Sequence, residues 1–180
     1  YYLKIENDKL KTLLNLTAPP SSKQIAARII FDPSNFLSTN LFIDVGFNEN
    51  VKVNNPVFND SGLIGRVISV TRNSSEVLLI TDPKSSLPVF SSESGLRFFV
   101  KGTLNGLEIK HLEDYEKLQD GETILTTSSS GYFKKGIVVG KIIKINEELK
   151  IMTSAKKNDS VFVKVLVYDY RNRQPIFESE

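Results

Sequence analysis

The sequence predicts a mainly β protein with two small β-barrels of six strands each and one helix in front of them. Three observations predict this fold class: the composition, a regular succession of short apolar runs and turn residues, and an internal repeat. Ile and Val together number 31 among the 180 residues, while Ala numbers four. Because β-branched side chains pack well on pleated strands and lose rotamer freedom in helices, this composition favours sheet.

Short apolar runs alternate with turn residues from residue 24 to residue 170. The turns contain Asp-Pro, Asn-Gly and Asp-Gly pairs, whose backbone preferences suit tight reversals of the chain. Many short strands at such spacing indicate a barrel or a sandwich. The expected strands are residues 24–31, 41–45, 56–58, 62–71, 77–81, 87–90, 96–103, 107–111, 122–126, 138–145 and 160–170.

An internal repeat turns this pattern into an architecture. The segment LIGRVISV (residues 63–70) recurs as VVGKIIKI (residues 138–145), and a turn followed by an apolar pair precedes each copy. Glycine weakens a strand unless a bulge or a close backbone approach requires it, and small barrels need such points to turn their corners. We therefore expect similar barrels at residues 24–95 and 96–176 and a tail at 177–180, with the strand at 24–31 either in the first barrel or crossing to complete the second. The expected structural glycines are Gly62, Gly65, Gly121, Gly136 and Gly140.

Residues 1–18 follow a heptad pattern, which we interpret as the C-terminal end of a longer coiled-coil helix. Leu3 and Leu10 occupy d positions, Asn7 and Leu14 occupy a positions, and charged residues surround them. A buried Asn at an a position favours a parallel dimer in register, so this dimerisation seam predicts a homodimer. The alternative is an amphipathic helix folded back on its own chain. The prolines at positions 19 and 20 end the helix, since proline lacks the N–H donor.

The composition excludes several classes of function. Lys and Arg number 23 against 21 Asp and Glu, Cys is absent, and His111 is the only His. Disulfides, thiolate metal sites, cysteine nucleophiles and mechanisms that need two histidines are thereby excluded, and we expect no metal and no cofactor. The basic residues form no stripe that would neutralise a run of phosphates, so we expect no nucleic-acid partner. No apolar run approaches the ~20 residues needed to span a bilayer.

A double β-barrel raises the question of a serine protease triad, which the sequence does not support. The available parts are His111, the carboxylates Asp82 and Asp114, and the serines within 84–94 and 128–130. The tract at 128–131 lacks the glycine before the nucleophile that the oxyanion turn of such a barrel uses. The acidic residues at 113–116 and 147–148 lie in polar stretches and are interpreted as solvated, and no phosphate-binding glycine motif follows a strand.

The loop at residues 131–136 is the candidate for an interaction surface. It places Tyr132 and Phe133 beside Lys134 and Lys135, between two glycines. Aromatic side chains next to basic ones on a loop are good anchors for a partner protein. The alternative is that Phe133 closes the end of its own barrel. The adjacent pair Phe98 and Phe99 is less informative about binding, since one of two neighbouring strand residues faces inward and the other outward.

The chain resembles the rod shape-determining protein MreC family over nearly all of residues 3–145. The resemblance depends on the order of many short phrases rather than on one motif. The sequence departs from the family at one turn, where the family usually has a Gly and one adjacent residue and this sequence has Asn54 and Asn55. The phrases are LxxENxxLxxLLxL in the helix, then DPSNF (32–36), IDVG (43–46), VKV (51–53), PV (56–57), GLIGRV (62–67), VLLITDP (77–83), LPV (87–89), KG (135–136) and VGKI (139–142).

The resemblance implies a non-enzymatic scaffold of the bacterial rod (elongation) complex. It implies a transmembrane helix before this segment, anchorage in the cytoplasmic (inner) membrane, and barrels on the periplasmic or extracytoplasmic side. The partners that it implies are a second copy of the chain, a class B penicillin-binding protein that serves as the elongation transpeptidase, and MreB, MreD and other rod-complex proteins. Family barrels resemble chymotrypsin-like ones but lack a triad. The competing hypotheses are a degenerate barrel peptidase and a β-barrel module that binds a small ligand.

Overall fold

The computed structural model describes residues 22–30, 40–129, 133–156, 158 and 161–168. The four residues of the predicted dimerisation seam and the predicted tail lie outside these ranges. Two short 3-10 helices, Phe47–Glu49 and Tyr115–Lys117, occur among the described residues, and no described helix has the length and apolarity to cross a bilayer. The strands are β1 (Ser22–Ile30), β2 (Asn40–Ile43), β3 (Pro56–Phe58), β4 (Leu63–Val70), β5 (Ser75–Leu79), β6 (Ser86–Ser91), β7 (Arg97–Gly102), β8 (Leu107–Lys110), β9 (Thr123–Thr126), β10 (Val138–Ile145), β11 (Glu148–Thr153) and β12 (Phe162–Tyr168).

The strands close into two six-stranded barrels, which confirms the predicted pair of barrels, while the predicted helix at 1–18 lies outside the described residues. The first barrel has the strand order β1-β12-β3-β4-β5-β2, and the second has the order β10-β11-β8-β7-β6-β9. The expected boundary between residues 95 and 96 therefore falls inside the second barrel, between β6 and β7. One strand does cross between barrels, but it is the last strand and not the first. β12 closes the first barrel by pairing with β3, with Val165 opposite Val57.

The expected strands omitted β11, whose residues alternate between charged and apolar. Asn146 and Glu147 form the two-residue turn before it, with φ values of 49° and 68°. Positive φ at both central residues is the signature of a hairpin turn whose twist matches the strands. β11 then pairs with β10 from Ile145 opposite Glu148 to Gly140 opposite Thr153. The sequence pattern predicted a solvated loop for the acidic pair at 147–148. Glu147 lies in the turn, and Glu148 is the first residue of β11.

Each barrel has its own apolar core, and the two cores exchange residues. Leu63 and Ile80, from the first half of the chain, are buried in the core of the second barrel. Ala155, which follows β11, is buried in the core of the first. Residues 24–167 accordingly form one compact unit. The burial of each large apolar side chain stabilises the folded state by about 2 kcal/mol.

The repeated glycines sit where two backbones meet. A Cβ on Gly65 would lie 2.2 Å from the carbonyl oxygen of Leu78, and one on Gly140 would lie 2.2 Å from that of Met152. A Cβ on Gly62 would meet the carbonyl oxygen of Val138 at 2.5 Å, which is a close approach between the two barrels. The other two expected glycines, at 121 and 136, adopt φ values of 87° and 97° that favour glycine.

Candidate interaction surface

The predicted binding loop divides into a buried part and an exposed part. Phe133 is 7% exposed and packs in the core of the second barrel, so it closes the end of its own barrel and cannot anchor a partner. Lys134 and Lys135 are exposed, and Tyr132 lies outside the described residues. The hydroxyl of Thr126 donates to the carbonyl oxygen of Lys134 at 2.6 Å, which fixes the loop against β9.

Beside Lys135 lies an outward face of the second barrel, formed by β9, β6 and β7, that carries apolar side chains. Opposite residues on antiparallel strands point to the same side of a sheet. Phe90 of β6 stands opposite Leu125 of β9, and Pro88 stands opposite Phe99 of β7. The ring of Phe99 is 45% exposed. We call these four residues, with Lys135, the aromatic face.

Aromatic and cationic groups contact each other on the aromatic face. The Lys135 ammonium lies 5.1 Å from the centre of the Phe90 ring, a cation–π contact. The ring of His111 meets that of Phe99 edge-on, with centres 6.0 Å apart. Arg97 stands opposite Phe90 and Lys110 opposite Phe99, so basic groups border the apolar centre.

Most basic side chains beside the aromatic face form no ion pair among the described residues. Lys110 pairs with Glu108 at 2.8 Å. No carboxylate among the described residues lies within ion-pair distance of Arg97, Lys101 or Lys135. A rigid apolar centre with a basic margin suits an interface in which a partner supplies apolar and acidic groups.

A buried carboxylate holds the strands that carry this face. Glu122 precedes β9 and accepts hydrogen bonds from the hydroxyls of Ser91 and Ser94, the latter at 2.8 Å, and from the backbone N–H of Gln119 at 2.7 Å. Desolvation alone would raise the pKa of Glu122. These hydrogen bonds outweigh it and hold the pKa below the ordinary value of 4.5. The turn after β6 is thereby tied to the start of β9.

The groups considered for a protease triad do not come together. His111 contacts the Phe99 ring, Asp114 pairs with Lys117 at 2.8 Å, and Asp82 accepts the backbone N–H of Lys84. No grouping of acidic and histidine side chains suited to a metal ion occurs in the described part of the chain. Among the described residues, the groups considered for a triad therefore do not form one.

Sequence reasoning missed most of the aromatic face. Phe90 and Pro88 belong to a run, LPVF, in which Leu87 and Val89 are buried and their neighbours point outward. Strict alternation along this run is the signal that could have found them. The contact between Lys135 and Phe90 joins positions 45 residues apart and leaves no local trace in the sequence.

Comparison with known proteins gives a consistent family. The family model described as "Rod shape-determining protein MreC, barrel core" matches residues 29–168. The cell shape-determining protein MreC of Caulobacter vibrioides is 29% identical over 168 residues, which is 92% of this chain and 49% of that protein. The chain spans about half the length of the curated relatives that it matches.

Solved structures agree with this comparison. An MreC structure from Listeria monocytogenes has a TM-score of 0.80 and 28% identity, covering 92% of this chain and 86% of that one. A complex between Penicillin-Binding Protein (PBP2) and MreC from Helicobacter pylori matches at a TM-score of 0.65 and 11% identity, covering 83% of this chain and all of that one, which shows a shared fold. The family comprises cell shape-determining structural proteins rather than enzymes. With its two closed barrels and a family match over 140 residues, the chain belongs to the rod shape-determining protein MreC family.

Proposed function

We propose that this chain is a scaffold of the bacterial rod complex that binds the elongation transpeptidase through the aromatic face. The observation that carries the proposal is the rigid apolar centre of that face with its uncompensated basic margin, on a chain of this family. The Helicobacter pylori complex supports it, because there a protein of the same fold is joined to a penicillin-binding protein. Binding would help to activate the transpeptidase and so couple peptidoglycan synthesis to cell shape.

The position of the protein in the cell forms part of this proposal. A transmembrane helix before this segment anchors the protein in the cytoplasmic membrane, and the barrels lie on the extracytoplasmic side. MreB, MreD and other rod-complex proteins join the same assembly. Two copies pair through the dimerisation seam of Leu3, Asn7, Leu10 and Leu14. Sedimentation of the protein with and without residues 1–18 tests this pairing. The same oligomeric state for both forms would contradict it.

The physical case for the aromatic face is that it is preformed. Phe99 and Phe90 lie on strands paired on both sides, so binding costs little conformational entropy. Aromatic side chains contribute strongly to interfaces when their surroundings exclude water. Lys135, already over the Phe90 ring, is placed to meet a carboxylate at the edge of such a contact. Exposed Lys134 extends the proposed surface along the loop, and Tyr132, which lies outside the described residues, is proposed as a further contact.

The test is binding of the transpeptidase to full-length protein that carries Phe99→Ala or Lys135→Glu. We expect at least a tenfold loss of affinity for each variant, measured by surface plasmon resonance, with an unchanged circular dichroism spectrum. Ile145→Ala and Lys84→Glu are the matched controls, because Ile145 is also 45% exposed and Lys84 is an exposed lysine away from the aromatic face. Full binding by both test variants would remove the aromatic face from the interface.

A further inference from the structure

The first barrel carries a groove that the aromatic face does not use. It has a volume of about 750 Å³ and lies between the 3-10 helix Phe47–Glu49, the loop that follows this helix, and the end of β4. Its side chains are apolar, basic or, at Asn48 and Thr71, polar and uncharged. Those that matter here are Phe47, Val51, Lys52, Val53, Val70 and Arg72.

Backbone contacts hold the walls of the groove in place. The N–H groups of Phe47 and Asn48 donate to the carbonyl oxygens of Thr71 and Arg72 at 2.9 and 3.1 Å. A Cβ on Gly46 would lie 2.4 Å from the Thr71 oxygen, so only glycine permits this approach. The groove is therefore preformed, and its occupant need not order it.

Two apolar side chains of the groove are exposed above a buried one. The Phe47 side chain is 73% exposed and Val53 is 49% exposed, while Val51 beneath them is 1% exposed. Phe47 is thus more exposed than any other large apolar residue of the described chain. An exposed aromatic ring on a fixed helix at the rim of a groove is typical of a binding site.

The groove presents the cationic side chain of Arg72. Arg72 and Lys52 line it, and no carboxylate occurs among the residues that line it. The nearest acidic residue in sequence, Glu49, is engaged elsewhere, since its Oε2 accepts the Gly46 N–H at 2.8 Å. No described carboxylate lies within ion-pair distance of Arg72.

We propose that this groove binds a peptide segment of a partner protein in which a large apolar side chain stands beside carboxylates. The apolar side chain would contact Phe47 and Val53 above Val51, and a carboxylate would take a bidentate pair of hydrogen bonds from Arg72. The recess is open to solvent and is bounded by one 3-10 helix and the end of one strand, a size that suits a short peptide segment rather than an extended bilayer. The site is separate from the aromatic face, so the two proposals stand or fall independently.

Binding of synthetic octapeptides to the full-length protein tests the proposal. The probe has a central Phe flanked by Asp and Glu, and two matched probes replace either the acids by their amides or the Phe by Ser. Fluorescence anisotropy measures affinity for the protein and for the variants Phe47→Ser and Arg72→Glu. Ile145→Ser and Lys84→Glu make comparable changes at exposed residues outside both the groove and the aromatic face, and they serve as controls.

We expect the acidic apolar probe to bind at least tenfold more tightly than either matched probe, and Phe47→Ser and Arg72→Glu each to weaken it at least tenfold. Binding should also weaken as salt is raised from 50 to 500 mM, since exposed charges are screened. Equal binding of all three probes, or an equal loss of affinity in the Ile145→Ser and Lys84→Glu controls, would overturn the proposal. So would the absence of peptide binding together with co-sedimentation of the protein, sensitive to Phe47→Ser, with phosphatidylglycerol vesicles.

Discussion

The two barrels share an internal framework and differ in how the chain closes them and in what they display. β4 and β10 are the two copies of the repeat, and each carries its glycine against the carbonyl oxygen of the neighbouring strand. Each also has a register shift against the preceding strand, at residues 57–58 in the first barrel and 138–140 in the second. The repeat therefore preserves the corner that closes a barrel, while the aromatic face lies outside it and the proposed groove meets it only at Val70, the end of β4.

The turn before the repeat is the same in both barrels although the residues differ. Asn55 Oδ1 accepts the N–H of Lys52, and Glu122 Oε1 accepts the N–H of Gln119, in each case three residues back. The preceding residue has a φ of 73° at Asn54 and 87° at Gly121. Asn tolerates this conformation better than most residues, which explains how Asn54 stands where the family usually has Gly.

The barrels differ most in chain continuity. The second is made from one stretch, β6 to β11, whereas the first needs β12 from the far end of the described chain. Val163 and Val165 of β12 are 2% and 0% exposed in the first core. The second barrel forms from pairings that are close in sequence. The first closes only through the pairing of β12 with β3, more than 100 residues apart, which carries a larger loop-closure entropy.

The largest effect on stability is expected when the first barrel loses β12. Removing residues 162–180 deletes β12, leaves β1 and β3 unpaired on one side, and forfeits about 2 kcal/mol for each buried valine. We expect hydrogen exchange of backbone amides in β1 to β5 to rise far more than in β6 to β11. Removing only 171–180 keeps β12 and is the control. Equal loss of protection in both barrels would show that they unfold as one cooperative unit.

A second prediction tests the shared corner. In Gly65→Ala and Gly140→Ala the new Cβ would lie 2.2 Å from a backbone oxygen, so the paired strands must separate. We expect each change to lower the free energy of unfolding in urea by about 3 kcal/mol, and by similar amounts in the two barrels. Gly95→Ala is the control, because nothing lies within 4 Å of its Cβ and only its φ of 71° opposes alanine, at about 1 kcal/mol. A cost near that of the control at either repeat glycine would contradict a common packing role.

The sequence predicted the framework well because that framework is local. Alternation, turn residues and the repeat around Gly65 and Gly140 indicated two barrels and eleven of the twelve described strands. β11 was not predicted, because the two-residue turn before it, Asn146 and Glu147, adopts left-handed φ values without a glycine.

The candidate surfaces were less predictable because distance in space decides them. Composition alone could not tell that Phe133 lies in the core while Phe99 and Phe47 are exposed. Which strand crosses between the barrels was equally beyond reach. The pairing of β12 with β3 joins residues more than 100 positions apart.

The smallest expected effect concerns the buried polar side chains of the two matched turns. Asn55 is fully buried, and its Nδ2 has no hydrogen-bond partner among the described residues. Glu122 uses both carboxylate oxygens, since Oε2 accepts the hydroxyls of Ser91 and Ser94. The second turn is therefore the better satisfied of the two, and its advantage depends on ionisation.

Glu122→Gln tests that advantage through pH. Because hydrogen bonds hold the pKa of Glu122 below 4.5, the carboxylate stabilises the fold above pH 4.5, and this contribution is lost as pH falls through the lowered pKa. At pH 7 we expect Glu122→Gln to reduce the free energy of unfolding by about 1.5 kcal/mol, the net value of a hydrogen bond to a charged group. The difference from the unmodified protein should shrink as the pH is lowered from 5 to 3 in urea titrations. Glu113→Gln alters an exposed carboxylate and should show neither effect; a cost for Glu122→Gln that stays constant over this range would mean that the turn responds to shape and not to charge.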